Sequence, residues 1–193
     1  MRRLILLSWM LLGCTVQARD TNLVDYAEFR TPTESFKTFR GNGISIKHPP
    51  DWKELPNKGQ AAATFVPPSG MCSFQVMLNP ATSLDDTIDG AIQVMGASQP
   101  MQLHVNQRAW FGPSEARYLE CNSTAKGTNL KWALLVFNQD DKQVAVSFCS
   151  DVSRWSEYYP KVRQMLPSFQ RTDRPQKKTA TAPADPQRPE KRP

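Results

Sequence analysis

Histidine is nearly missing: the 193 residues hold two, His48 and His104. Zinc centres and Ser-His-Asp or Cys-His relays need histidine beside thiolate, carboxylate or hydroxyl partners. Neither histidine has such residues at ligand spacing. His48 precedes a diproline and His104 lies in an alternating segment, so both read as packing or surface residues. Gly-x-Ser-x-Gly, His-Glu-x-x-His and a phosphate-cradling glycine loop are absent as well. Catalysis would need a site without a recognised signature, and no cofactor or metal is implied.

Long apolar runs are also missing. The longest, Leu4–Leu12, follows Arg2 and Arg3 and falls short of the roughly 20 residues a spanning helix needs. A basic start, a short apolar stretch and a small residue, Gly13, make a secretory signal. Two processing routes stay open. Cleavage after Val16-Gln17-Ala18 would discard Cys14, whereas Leu11-Leu12-Gly13-Cys14 resembles a bacterial lipobox, in which the Cys14 thiol is lipidated and becomes the mature N-terminus. Leu12 stands where Ala or Ser is usual, yet the run ends directly at Cys14, which favours the lipoprotein. Three acyl chains, palmitate among them, supply the multiple lipid signals of stable anchoring. Thr15, rather than Asp, after the cysteine implies sorting to the outer membrane, periplasmic side, in a Gram-negative organism.

Charge of one sign is absent from the body of the chain. The net +6 comes from Arg2 and Arg3 and from residues 171–193, with seven basic and three acidic residues; residues 14–170 hold fifteen of each. The body therefore makes no charge-based claim on nucleic acid. The stretch 171–193 has alanine as its only apolar residue and five prolines, the composition of a disordered tail. It offers at most a weak contact to anionic surfaces, and truncation after Gln170 is expected to leave stability nearly unchanged. Residues 14–38 read as a tether, and residues 39–170 as one domain.

Within that domain, Ile44 and Ile46 alternate with Ser45 and Lys47 after the turn Gly41-Asn42-Gly43, predicting a strand that ends at Pro49-Pro50. Residues 61–80 read as a hairpin around Pro67-Pro68-Ser69-Gly70. Leu84, Ile88, Ile92 and Met95 share a helical face over 83–95, with Ser83 and Asp86 as a capping pair, Asp85 and Asp86 at the positive end of the dipole, and Gly96 as the stop. Four strands follow: "QLHVNQRAW", "SEARYLECNS", "LKWALLVFNQ" and "KQVAVSFCS". The third is apolar on both faces, with Trp132, Leu134 and Val136 on one and Ala133, Leu135 and Phe137 on the other. Such a strand lies inside a sheet covered twice, by the first helix and by a second using Trp155, Tyr159, Val162 and Leu166. Pro160 inside that second segment predicts a kink or two short helices.

The residues "ISIKHPPDW" after Phe39, and "YYPKVRQMLPSF" from Tyr158, resemble the PsbP-like fold family, which includes the PsbP proteins and DcrB-like bacterial lipoproteins. The resemblance covers roughly residues 36–170. It implies an α+β fold with a single antiparallel sheet and helices packed on both faces, and proteins that act by binding and assembly. The expected function is a membrane-anchored envelope lipoprotein acting as a non-catalytic protein-binding or assembly module, its partner an envelope protein. The alternatives are a small-molecule or metal-ion binder using a groove over the sheet, or an enzyme.

Three further groups bear on function. Asp85 and Asp89 share a helical face and can hold a hard ion, though acids at a helix start more often serve the dipole. Trp52 and Trp110 sit at strand ends suited to a surface, and Trp132 reads as core. Cys72, Cys121 and Cys149 are odd in number, so at most one bridge forms. Turns at 124–128 and 139–141 place Cys121 near Ala133 and Cys149 near Lys131, two strand spacings apart, about 9–10 Å. That is beyond disulfide reach, leaving a bridge through Cys72 or three thiols. The sharpest expectation concerns Cys14: the mature protein carries acyl chains and enters the detergent phase, and Cys14→Ser blocks acylation. Intact-mass analysis finding an unlipidated protein starting at Arg19 would overturn it.

Overall fold

The computed structural model describes residues 35–56, 61–70 and 72–173. The signal 1–13, Cys14, most of the tether and the tail beyond Asp173 lie outside them. In chain order the elements are β1 (Lys37–Gly41), β2 (Ile44–His48), β3 (Lys53–Glu54), β4 (Ala61–Val66), β5 (Cys72–Pro80), α1 (Leu84–Ser98), β6 (Met101–Phe111), β7 (Ser114–Ala125), β8 (Thr128–Gln139), β9 (Lys142–Asp151), α2 (Trp155–Met165) and β10 (Gln170–Arg171). The α+β class holds. The sheet is not single, however: seven antiparallel strands run in the order β3-β4-β5-β9-β8-β7-β6, and β1-β2-β10 form a separate small sheet.

Alternation along β8 explains the layering. Val136 packs with Leu119, Ala145 and Ile88 of α1 on one face. Leu135 and Phe137 join Phe74, Val146 and Phe148 on the other, beneath Tyr158, Val162 and Met165 of α2. Phe137 stacks on Phe111 with centroids 4.4 Å apart and meets Phe169 edge-on at 6.0 Å, so the closing segment of the chain is pinned to the centre of the sheet. Burying one such ring contributes about 1.5–3 kcal/mol.

Local chemistry accounts for the helix ends. Ser83 Oγ accepts from the Asp86 N–H at 3.3 Å, as its pairing with Asp86 suggests. The helix passes the expected stop at Gly96 and continues to Ser98, because a mid-helix glycine costs only about 1 kcal/mol. Gln99 is extended at φ −166°, as a residue ahead of Pro100 prefers. α2 runs unbroken through Pro160 rather than as two helices, held by its buried stripe on the sheet.

The register also departs by one residue from the sequence expectation. Cys121 and Cys149 both flank Trp132, because Lys126-Gly127 and Asp140-Asp141 are two-residue turns. Lys126 and Gly127 have φ of 51° and 79°, the left-handed pair that matches strand twist. Leu119, Cys121 and Cys149 therefore share the α1 face with Trp132 and Leu134, not with Ala133 and Leu135. Cys72 pairs with Ser150 and belongs to the opposite, α2-side core, and all three thiols are free.

Both domain boundaries move outward. β1 begins at Lys37, and Arg171 belongs to the fold rather than to the tail. Its side chain is 1% exposed. Nη1 donates to the Gln139 carbonyl at 2.5 Å and to Asp141 Oδ1 at 3.1 Å, and Nε donates to Asp173 Oδ1 at 2.8 Å. The guanidinium thus ties the small sheet to the β8–β9 turn. A Cβ at Gly43, where φ is +81°, would come within 3.1 Å of Asp173, so the β1–β2 turn is shaped around the Asp173 side chain. The Arg171 hydrogen bond holds the Asp173 carboxyl below its usual range. Its contribution is complete above that range and disappears as pH falls through the lowered value. Truncation after Gln170, or Arg171→Ala, is expected to cost about 2 kcal/mol and lower Tm by about 5–10 °C in a thermal melt. Truncation after Asp173 should leave Tm nearly unchanged.

Candidate functional site

α1 packs on β7 and β8, whereas α2 packs on β9 and β2. Neither helix packs closely on β6, and two features lie at that end of the sheet. One is a polar strip on the α2 side of the sheet. Moving along β7, the face-sharing residues change from Ala116 to Tyr118, Glu120 and Asn122. The Tyr118 hydroxyl donates to the Glu120 carboxylate, so Tyr159 of α2 must be the donor across the 2.6 Å hydroxyl contact with Tyr118. Lys131 Nζ pairs with Glu120 at 2.9 Å and sits 4.6 Å over the Trp155 ring, which stacks on Tyr159. Beneath this network a cavity of about 30 Å³, lined by Tyr118, Leu135, Phe148 and Leu166 among others, holds little more than a water molecule. The groove over the sheet expected from the sequence is thus largely filled by side chains here.

The second feature is the outer edge of β6. It is the terminal strand of the large sheet, eleven residues long, and no further strand among the described residues pairs with it. The opposite edge strand, β3, has two residues. Along β6, Leu103 and Trp110 are 43% and 45% exposed. Arg108 lies opposite Arg117. Arg117 is occupied by Asp85 at 2.8 Å, while Arg108 meets Glu115 at 3.7 Å with its own side chain 69% exposed. Long edges are usually blunted by charge or a bulge. Here a bulge interrupts the pairing at His104, leaving the stretch from Val105 to Phe111 regular.

The tryptophans divide differently from the expectation. Trp110 is on the surface. Trp52 is buried at 3% exposure, because its N–H closes a turn onto the Pro49 carbonyl at 3.1 Å and swings the ring edge-on to Tyr158. Trp132 is only half-buried, its indole N–H donating to Ser123 Oγ at 2.8 Å. His48 is buried, stacked on Phe65 and bonded to Pro49 and Glu54, and His104 is exposed at the bulge. Asp85 is paired with Arg117, and among the described residues no group of three His, Cys, Asp or Glu is placed to hold a metal. Burial raises the thiols of Cys72 and Cys121 and pushes Cys149 up to about 12, so none is a ready nucleophile. No helix among the described residues is long and apolar enough to cross a membrane. Cys14, the residue expected to carry the lipid anchor, lies outside the described residues. The edge itself was missed in the sequence, although Trp110 beside Arg108 on a long strand was its visible signal.

No family model and no curated protein sequence matches the chain. Solved structures do. The solution structure of cyanobacterial PsbP from Synechocystis is 14% identical, covers 71% of this chain and 92% of its own, and superposes with a TM-score of 0.55. LpqN of Mycobacterium tuberculosis, described as involved in cell envelope biogenesis, is 12% identical over 73% of this chain and 87% of its own, with a TM-score of 0.54. The Ran-binding protein Mog1p of Saccharomyces cerevisiae is 12% identical over 72% and 97%, with a TM-score of 0.50. The fold is PsbP-like, and at these identities the likeness is one of fold alone.

The tyrosine network carries a pH dependence. Burial raises the Tyr118 phenol far above its ordinary value, with Tyr159 and Glu120 adding to the effect, and burial raises Tyr159 as well. Both favour the neutral phenol in the folded state, so their contribution is complete below the ordinary tyrosine range near ~10 and is lost as pH rises through the raised values. Tyrosinate absorbance during an alkaline titration is expected to show Tyr118 and Tyr159 ionising only as the protein unfolds. Tyr118→Phe should remove one phenol from that late step and leave the neutral-pH fold intact.

Proposed function

We propose that the chain is an exported envelope lipoprotein, anchored through Cys14, whose PsbP-like domain is a non-catalytic module that receives a protein partner along the outer edge of β6. The observation that carries the reading is the pairing of Leu11-Leu12-Gly13-Cys14 at the head of the chain with a domain that ends its large sheet in an eleven-residue edge strand. Such an edge offers alternate N–H and C=O groups to an extended segment, and flanking side chains set its specificity. Trp110 supplies an aromatic anchor of the kind that dominates interfaces, and exposed Arg108 selects an acidic residue on the incoming segment. The LpqN and Mog1p descriptions, one of envelope biogenesis and one of Ran binding, are consistent with a fold that serves as a binding module. Localisation at the envelope, on the periplasmic side of the outer membrane in a Gram-negative organism, follows from lipidation of Cys14.

A photo-crosslinking residue placed at Trp110 in intact envelopes tests the reading. A discrete protein adduct is expected from position 110, diminished by Arg108→Glu and by Cys14→Ser, and none from Glu157 on exposed α2. Adducts absent from 110, or equal at both positions, would refute the edge as the docking surface.

A further inference from the structure

Beside the polar strip, where β6 starts and β7 ends, lies a concavity of about 450 Å³ lined by Gln102, Asn122, Ser123, Thr124, Asn129 and Val152, among others. Its size falls within the range of small-ligand sites. Its chemistry is unusual for this surface: amides and hydroxyls line it, and no charged side chain does. The charged groups nearby are already engaged. Lys131, the cross-strand partner of Asn122, is bound to Glu120 and lies over Trp155. Asp151 accepts from the N–H and hydroxyl of Ser153.

Hydrogen-bonding capacity is nevertheless left over. Asn122 Oδ1 is shielded from solvent and has no partner, so a molecule in the hollow meets this residue through its NH₂ group. Gln102 is the direct cross-strand neighbour of Asn122, close enough for both amides to contact one bound group. Ser123 Oγ accepts the Gln99 Nε2 donor at 2.9 Å and the Trp132 indole at 2.8 Å on the opposite, α1-side face, so its hydroxyl is engaged there and takes no part in the hollow. Thr124 Oγ1 donates to Asn129 Oδ1 at 3.1 Å, which fixes that amide with its NH₂ group available. Val152, Met101 and Pro100 add an apolar side to the same hollow.

We propose that this concavity binds a neutral saccharide. Neutral amide and hydroxyl groups, both donors and acceptors, opposite a small apolar wall match a sugar ring, which presents hydroxyls at its rim and C–H groups on its face. An ionic ligand would find no counter-charge in the lining. The inference goes beyond the protein-docking reading and is independent of it: the residues differ, and neither Trp110 nor Cys14 takes part.

The test is a ¹H–¹⁵N NMR titration of the full chain with two neutral probes, a trimer of N-acetylglucosamine and a trimer of glucose, and with an uncharged Gly-Ser peptide as comparison. Saturable shifts of the Gln102 and Asn122 side-chain amides are expected with at least one saccharide at about millimolar concentration. In Asn122→Leu, shifts of the Gln102 amide should require at least about tenfold more saccharide, with Tm unchanged or higher, because the variant removes an unpartnered acceptor rather than a bond. Gln102→Ala, on the exposed edge, provides a second variant should Asn122→Leu misfold, and it should weaken binding similarly while the Asn122 resonance reports. Absence of shifts with both saccharides, equal response in the variants, or saturation by the peptide alone would overturn the proposal. Loss of the position-110 crosslink would not bear on it.

Discussion

β8 has no polar face. Val136 and Phe137, adjacent in sequence and pointing oppositely, are both fully buried, and a strand of this kind is stable only with a layer on each side. α1 supplies one layer; α2 and the small β1-β2-β10 sheet supply the other. Covering the middle of the sheet is therefore obligatory, and with two helices available the terminal strand β6 is left without one packed closely on it. The exposed side chains of β6 lie there for that reason. The demand of one strand for burial thus decides where a binding surface can be.

The second cover has a fastening of its own. Phe169 is pressed on Phe137, and two residues later Arg171 reaches the β8–β9 turn through Gln139 and Asp141. The ring gives the closing segment its apolar grip, and the guanidinium supplies direction. A buried cation is stable only with its donors satisfied, which here requires the turn, Asp173 and β2 to be in place together. The small sheet is consequently a closure of the core rather than an appendage to it.

Much of this architecture is written in local chemistry. Asn42-Gly43 and Lys126-Gly127 announce hairpins, the Leu84–Met95 periodicity announces α1, and the double apolar pattern of β8 announces layers on both faces. Contacts across distance were not legible. Arg171 stands in a basic, proline-rich stretch and looks like the tail until Asp141, thirty residues earlier, is placed beside it. Trp52 follows a diproline and looks exposed until the turn at Pro49 carries its ring to Tyr158. The face shared by Cys121 and Cys149 depended on turn length, since a shift of one residue moves a neighbouring strand's opposite face into contact. Of the candidate sites, Trp110 was visible from its place at a strand end. The Asn122–Gln102 concavity was not, because it is assembled from the ends of strands.

The central claim is that the outer edge of β6 is the surface an envelope protein pairs with. Backbone hydrogen exchange of the full chain, measured alone and after reconstitution into its own envelope fraction, tests it directly. Alternate amides of residues 105–111, those directed away from β7, should exchange freely in isolation and become protected on reconstitution, while amides of β8 stay protected throughout. Unchanged exchange along β6 in the presence of the envelope would contradict the account.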